Sequence, residues 1–311
     1  MLEVKNLNKN FGEKRAVNDL SFTVREGVAY GFLGRNGAGK TTTIRILMNV
    51  FREDSGEALF DGVPAWKESK KIGYLPEERG LYAKRGVLEQ LLYFGFLKGL
   101  DKQTAEREAK AKLEEMDATE YTNKKLETLS KGNQQKIQLA VAMLGDPDVI
   151  ILDEPFSGLD PINAQILKNA VRRQVNEGRT VLFSSHQMAQ VEEFCDDICI
   201  IDKGHAVLEG SLLAIKKTYP RNTLYIETES GLSAEPGKPL EAVIRALPFI
   251  TDVSQKGSGL VVKIDDPANR SLLLRKLEED GVRVDSFYVI EPTLEQIFVE
   301  KAGALDTEDK K

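Results

Sequence analysis

Cysteine and histidine are scarce in this chain, with two of each among 311 residues. Cys195 and Cys199 stand four apart, and with only His186 and His205 to join them a zinc centre is disfavoured. The two thiols read instead as buried residues of a reducing compartment. A surplus of positive charge is also missing. The chain has 43 Lys and Arg against 49 Asp and Glu, and its net charge of −6 argues against a general nucleic-acid binder. No apolar run approaches the roughly 20 residues that span a bilayer. Met1-Leu2-Glu3-Val4-Lys5 leads directly into an alternating strand pattern, not a leader peptide. What remains is an ordinary soluble composition, 41% hydrophobic and 30% charged, long enough for two domains and a large core.

One stretch stands out against that background. Gly34-Arg35-Asn36-Gly37-Ala38-Gly39-Lys40-Thr41 follows the apolar run 28–33 and precedes Thr42-Thr43-Ile44-Arg45-Ile46-Leu47-Met48. Strand, glycine-rich loop and helix in this order are the context a phosphate-binding P-loop needs. Glycines let the loop curl so that several backbone N–H groups point at one anion. The helix behind the loop adds its positive end. The expected nucleotide contacts are Gly34, Asn36, Gly37, Ala38, Gly39, Lys40, Thr41 and Thr42. Lys40 reaches the β- and γ-phosphates and the Thr41 hydroxyl ligates Mg²⁺, so the ligand class is a nucleoside triphosphate.

Val149-Ile150-Ile151-Leu152-Asp153-Glu154-Pro155 is a short apolar run ending in two acids. Such a run reads as a parallel strand buried on both faces. Ligand groups of open α/β sheets gather at the carboxyl ends of these strands. Asp153 is therefore placed to hold Mg²⁺ through water, and Glu154 to polarise the water that attacks the γ-phosphate. The alternative is a pair of acids capping the next helix. Further back, Leu129-Ser130-Lys131-Gly132-Asn133-Gln134-Gln135-Lys136 opens a helix, with Ser130 as N-cap and Asn133 or Gln134 in the first turn. Ser130, Gly132 and the free N–H groups of that helix start form a second anion site.

These motifs together resemble the ATPase subunit of ABC transporters. Leu129 to Asn133 is similar to that family's Leu-Ser-Gly-Gly-Gln signature, and Asp153-Glu154 to its Walker B pair. Ser157-Gly158-Leu159-Asp160 resembles the D-loop, and His186 after Ser184-Ser185 the switch histidine. The motifs run in family order across residues 1 to about 215. The resemblance implies an α/β P-loop NTPase fold: a parallel core sheet, an antiparallel β flank and a helical insert. It also implies two cassettes paired head to tail, as a homodimer or with a second kind of cassette. ATP and Mg²⁺ then lie between the P-loop of one and the signature of the other. Ser130, Gly132 and Asn133 would contact the γ-phosphate held by a second copy, and Asp160 would join that interface. Glu154 would act as general base and His186 would hold the γ-phosphate and the water in line; a buried, neutral histidine at a strand end is the plainer reading of His186. His205 reads as a solvated turn residue.

Two positions depart from the family pattern. Glu77, followed by Glu78, stands where a Q-loop glutamine is expected, so its roles as Mg²⁺ ligand and nucleotide contact carry an extra negative charge. Lys131 replaces a signature glycine, and its cation is expected near the phosphates of the opposite copy. Phe11 stands where the family stacks an aromatic ring on adenine; a core phenylalanine is the alternative.

The resemblance further implies a separate multi-span permease as partner, no nucleic acid, and a place on the cytoplasmic face of the membrane, held there by the permease. The alternative is a soluble ABC-family ATPase not engaged in transport. Such proteins usually carry two cassettes or a long coiled coil, and this chain has one P-loop, one signature and no heptad run. Residues 77–82 with parts of 85–97, unusually apolar for a surface helix, are the expected groove for the permease; the insert's own core is the other use of that stripe.

The organisation expected is a cassette over 1–218, with a helical insert at about 84–145, a small α+β domain over 222–303, and a disordered tail over 304–311. Within the second domain, 230–239 is rich in Gly, Pro and Ser and reads as a loop. Residues 291–298 resemble a tail segment of bacterial exporter ATPases of the sodium-efflux and drug-export type.

Overall fold

The computed structural model describes residues 1–67, 72–78, 80–229, 231, 233–235 and 238–308. Two compact units are present. One comprises Met1–Leu212 together with the segment from Leu294 onward, the other Leu213–Thr293.

The first unit begins with β1 (Leu2–Phe11) and β2 (Lys14–Val24), an antiparallel hairpin. Leu2 and Val4 are buried, and then the alternation slips to Leu7. The slip is a β-bulge, with Asn6 at a φ of 46° and its amide bonded to Asp19 Oδ1 at 2.9 Å. Next come β3 (Ala29–Leu33), α1 (Lys40–Leu47), β4 (Ser55–Phe60), β5 (Val63–Pro64) and β6 (Ile72–Leu75). The insert follows as α2 (Val87–Leu97), α3 (Lys102–Glu115) and α4 (Lys131–Ala142). The chain then returns through β7 (Val149–Asp153), α5 (Pro161–Asn176), β8 (Thr180–Ser185), α6 (Met188–Phe194), β9 (Asp197–Asp202) and β10 (His205–Ser211).

Two sheets result. The flank has strand order β2-β1-β4-β5 and is antiparallel. The core sheet has order β10-β9-β3-β8-β7-β6, parallel except for β10 at its edge. Strands β3, β7 and β8 are buried at every position, which is why they read as unbroken apolar runs. Leu20 and Phe22 from the flank, Phe32 and Ile151 from the core sheet, and Ile44 and Leu47 from α1 share one apolar cluster. That cluster seats α1 against the sheet and so fixes the loop before it.

In the insert, Asp101 caps α3 by accepting from the Thr104 N–H at 3.0 Å. Lys98, just past α2, donates to the carbonyls of Val141, Ala142 and Leu144 at 3.3, 2.9 and 2.8 Å. An ammonium at that end of α4 satisfies carbonyls the helix cannot pair and opposes its negative pole. Burial pushes the Lys98 ammonium down to about 8, with the Glu108 carboxylate pulling it up. The folded chain therefore releases this proton before the unfolded chain does, and stability from Lys98 grows as pH rises from about 8 to about 10. Lys98→Met should cost about 1–3 kcal/mol at neutral pH by leaving these carbonyls without their donor. It should also remove that alkaline gain; urea unfolding at pH 7 and pH 9.5 measures both.

The second unit, after α7 (Leu212–Lys217), runs β11 (Thr223–Thr228), β12 (Ser233–Glu235), β13 (Lys238–Pro239), α8 (Leu240–Arg245), β14 (Ile250–Lys256), β15 (Gly259–Ile264), α9 (Arg270–Glu279) and β16 (Val284–Val289). Its antiparallel sheet has order β14-β15-β11-β16, which with α8 and α9 makes a split βαβ layer. Leu224, Ile226, Ile244, Val262, Leu273 and Leu277 form its core. The stretch expected as a loop carries β12 and β13, a short hairpin; residues 230, 232, 236 and 237 lie outside the described residues.

The chain closes on α10 (Leu294–Glu308). This helix groups with the first unit and not with the α+β unit, because Leu294, Ile297 and Phe298 bury themselves where α10 meets α6 and β10. It also continues through 304–308, part of the segment expected to be disordered; residues 309–311 lie outside the described residues.

Candidate active site

The P-loop bridges β3 and α1 at the carboxyl edge of the core sheet. Two of its glycines have no substitute. A Cβ on Gly34 would meet the Ile201 carbonyl oxygen at 2.5 Å. Gly39 has a φ of +112°, and a Cβ there would meet the Ala16 carbonyl oxygen at 2.5 Å. The loop closes over Lys40, which is 7% exposed and donates from Nζ to the carbonyls of Gly34 at 2.7 Å and Arg35 at 3.4 Å.

A cavity of about 310 Å³ opens over this loop. Asn36, Gly37, Gly39, Lys40, Thr41 and Thr42 line one side of it, and Glu77, Asp153 and Glu154 the other. Gly34 and Ala38 lie buried behind the lining. Three lining residues were not singled out from sequence: Lys14, Ala16 and Arg35. Lys14 faces Phe11 across the β1–β2 turn, and Arg35 occupies a variable position of the loop itself.

The acids come from the ends of β6 and β7. Asp153 is buried and accepts a short hydrogen bond from the Ser184 hydroxyl. Burial raises its pKa, as do the Glu77 and Glu154 carboxylates, while the Ser184 bond and Lys40 lower it. Lys40 answers the same field: burial lowers its pKa and Glu154, Asp153 and Glu77 raise it. One buried cation, with Lys14 and Arg35 also on the lining, thus faces three carboxylates. Thr41, Glu77 and Asp153 each bring a side-chain oxygen to this lining.

Glu154 is held from several directions. Its backbone is left-handed, with a φ of 52°, and its N–H donates to the Ser184 carbonyl at 3.1 Å. Oε2 accepts from the Ser185 hydroxyl at 3.3 Å, and Oε1 lies 2.7 Å from His186 Nδ1. His186 is partly exposed, so it is neither a fully buried core histidine nor a free side chain. Glu154 does not cap the next helix; Asp160 does, accepting from the Asn163 N–H at 2.9 Å and its side-chain amide at 2.6 Å.

The signature segment lies outside this cavity. Ser130 caps α4 by accepting from the Asn133 N–H at 3.3 Å, and the Asn133 amide donates to Tyr121 Oη at 2.8 Å. A Cβ on Gly132 would meet the Asn163 amide nitrogen at 2.7 Å, so the Asn163 side chain, bonded to Asp160, packs closely on the helix start. Lys131 points its ammonium at Gly158 of its own chain. Two glutamines of α4 escaped the sequence reading: Gln135 donates to the Pro155 carbonyl at 3.3 Å and Gln138 to that of Glu78 at 3.4 Å. Phe11 is half exposed and meets Phe51 edge-on at 5.4 Å, so it is no core residue. His205 is exposed, and its ring contacts the Asn18 amide.

Comparison with known proteins places this geometry. A family model described as ABC transporter matches residues 17–157, and one described as ATP-binding protein DrrA1-3-like, C-terminal domain, matches residues 210–302. The uncharacterized ABC transporter ATP-binding protein YhaQ of Bacillus subtilis is 40% identical over 306 residues, covering 98% of this chain and 99% of that one. The chain belongs to the ATP-binding proteins of ABC transporters. A Nod factor export ATP-binding protein I from Burkholderia lata is 33% identical, covering 97% of each chain. A solved ATP-binding subunit of an ABC transporter superimposes with a TM-score of 0.65 at 29% identity, over 70% of this chain and 92% of that one. Membership in this family carries ATP binding and hydrolysis. Among the described residues no helix is long and apolar enough to cross a membrane.

Proposed function

We propose that the chain is the ATP-hydrolysing subunit of an exporter, working as a head-to-tail pair of cassettes beneath a separate permease. The observation that carries the reading is Glu154 Oε1 at 2.7 Å from His186 Nδ1, with Glu154 itself lining the cavity that Lys40 and Asp153 also line. That is the arrangement in-line phosphoryl transfer to water requires. Glu154 takes the proton of the attacking water, and His186 holds Glu154 and the γ-phosphate in register. Lys40 and the P-loop N–H groups stabilise charge on the phosphate oxygens. Thr41, Asp153 and Glu77 would hold Mg²⁺, which supplies further positive charge against those oxygens.

The pairing is supported by the placement of Ser130, Gly132 and Asn133 outside the cavity of their own chain, at the N-terminus of a twelve-residue helix. An anion site displaced from its own P-loop is usable by a second copy. ATP between the two satisfies both sites, and hydrolysis releases the pair. Export is supported by the Nod factor export relative.

The permease reading is supported by a groove of about 560 Å³ on the insert, lined by Tyr82, Arg85, Glu89, Tyr93 and Phe96 among others. Tyr82, Tyr93 and Phe96 stay exposed there, and so does Leu97, next along α2 outside the groove lining, more apolar surface than a helix needs for its own fold. Such a partner would keep the chain at the cytoplasmic face of the membrane. Cysteines introduced at Tyr93 and Leu97 should crosslink to a multi-span protein in native membranes. Crosslinks confined to other faces of the chain would refute the docking site.

A further inference from the structure

We infer that Phe298 is a positioning residue for the nucleotide site, acting through the P-loop side chain of Arg35. The inference rests on the ATPase reading above. Helix α10 is pinned on the first unit: Leu294 and Ile297 are fully buried, and the Leu294 N–H donates to Glu192 Oε2 of α6 at 3.1 Å. This places the Phe298 ring, itself 2% exposed, under the Arg35 guanidinium, 5.4 Å from the ring centroid. Arg35 belongs to two walls at once. It lines the P-loop cavity, and it lines a second cavity of about 360 Å³ shared with His186, Glu295 and Phe298.

The chemistry follows from what Arg35 does on its main chain. Its carbonyl accepts from the Ala38 N–H at 3.1 Å and from Lys40 Nζ at 3.4 Å. The crest of the loop that orients Lys40 is therefore the residue whose side chain Phe298 holds. A planar guanidinium over an aromatic face is a directional contact, worth more than simple apolar packing. Glu295, three residues earlier on α10, adds a carboxylate to the same cavity and favours the cation staying there. Held this way, Arg35 presents a second positive charge to the triphosphate and stiffens the loop before the ligand arrives. Pre-organisation of this kind shows in nucleotide affinity more than in turnover.

The test is steady-state ATP hydrolysis by the full chain, with its thermal midpoint recorded beside it. Phe298→Leu keeps the buried apolar side chain and removes the π face. It should raise KM for ATP about two- to fivefold, the size of one exposed cation–π contact, with kcat within about twofold. Phe298→Tyr should restore the wild-type KM. Arg35→Gln should raise KM at least as much, and adding Phe298→Leu to it should change nothing further. A wild-type KM in Phe298→Leu, or independent multiplication of the two effects, overturns the inference. If Phe298→Leu does not fold, a wild-type KM in Arg35→Gln, at an exposed position, overturns it alone. Absence of turnover in the wild type would instead sink the ATPase reading, so the two failures are distinct.

Discussion

Glu154→Gln is expected to lower kcat for ATP hydrolysis by about 100- to 10,000-fold, the span of a lost general base, and to leave ATP binding intact. Glutamine matches glutamate in shape. Its one amide oxygen can still accept from the Ser185 hydroxyl or from His186 Nδ1, and its NH2 can only donate toward the other, so one of the two contacts at 3.3 and 2.7 Å is kept and the other changes direction. The backbone φ of 52° and the N–H bond to Ser184 do not depend on the side chain, so the local fold should persist. What disappears is the basic oxygen that removes a proton from water. Removing one of three carboxylates around Lys40 also eases the approach of a polyanion, so KM should stay level or fall. With binding retained and cleavage blocked, dimers should accumulate when MgATP is added and be seen by light scattering. Equal turnover in wild type and variant would refute Glu154 as the base. Turnover lost without any ATP-dependent dimer would refute the two-copy mechanism and leave the base in place.

The contacts around Glu154 show what a sequence reveals and what it conceals. Gly34 to Thr41 is legible because local signals coincide there: an apolar strand, glycines demanded by close approach and positive φ, and a helix start. Asp153 and Glu154 are legible because strand ends in a parallel sheet are where polar groups collect. Ser130 is legible as a cap, since a cap bonds only three residues away. Long-range side-chain contacts leave no such trace. Gln138 reaches the Glu78 carbonyl 60 residues away and Lys98 reaches carbonyls 43 to 46 residues on, and neither contact alters a local pattern.

Helix α10 is the clearest case. Its amphipathic pattern announces a helix but not its partner, and chain continuity assigns it to the preceding α+β unit. The first unit captures it because Phe298 and Ile297 find apolar surface there. The bulge at Asn6 and the hairpin of β12 and β13 escape for a related reason. A slip in alternation, or two short strands within a Gly- and Pro-rich stretch, looks the same as a loop until the pairing strand is known.

Lys40→Met should abolish useful ATP binding without unfolding the chain. Methionine keeps the unbranched apolar stem and deletes the charge. The buried ammonium now offsets Glu77, Asp153 and Glu154, and those carboxylates raise its pKa against the burial that lowers it. Deleting the ammonium removes the one buried cation among three acids and leaves only the exposed Lys14 and Arg35 to offset them. Loss of one charge-assisted contact to a phosphate oxygen in such a site costs about 3 kcal/mol, hence on the order of a 100-fold weaker Kd. Stability should move much less, within about 1 kcal/mol. The variant loses the burial penalty of an ammonium, which offsets the loss of its bonds to the Gly34 and Arg35 carbonyls. Asp153 should titrate at higher pH, because Lys40 lowers its pKa in the wild type. Calorimetric titration with MgATP and a thermal-shift series read the two effects separately. The wild type should gain melting temperature as MgATP is raised, by mass action on the folded state, and Lys40→Met should not. A Kd within about threefold of wild type, a difference of less than about 1 kcal/mol, would mean that the triphosphate does not sit on this loop.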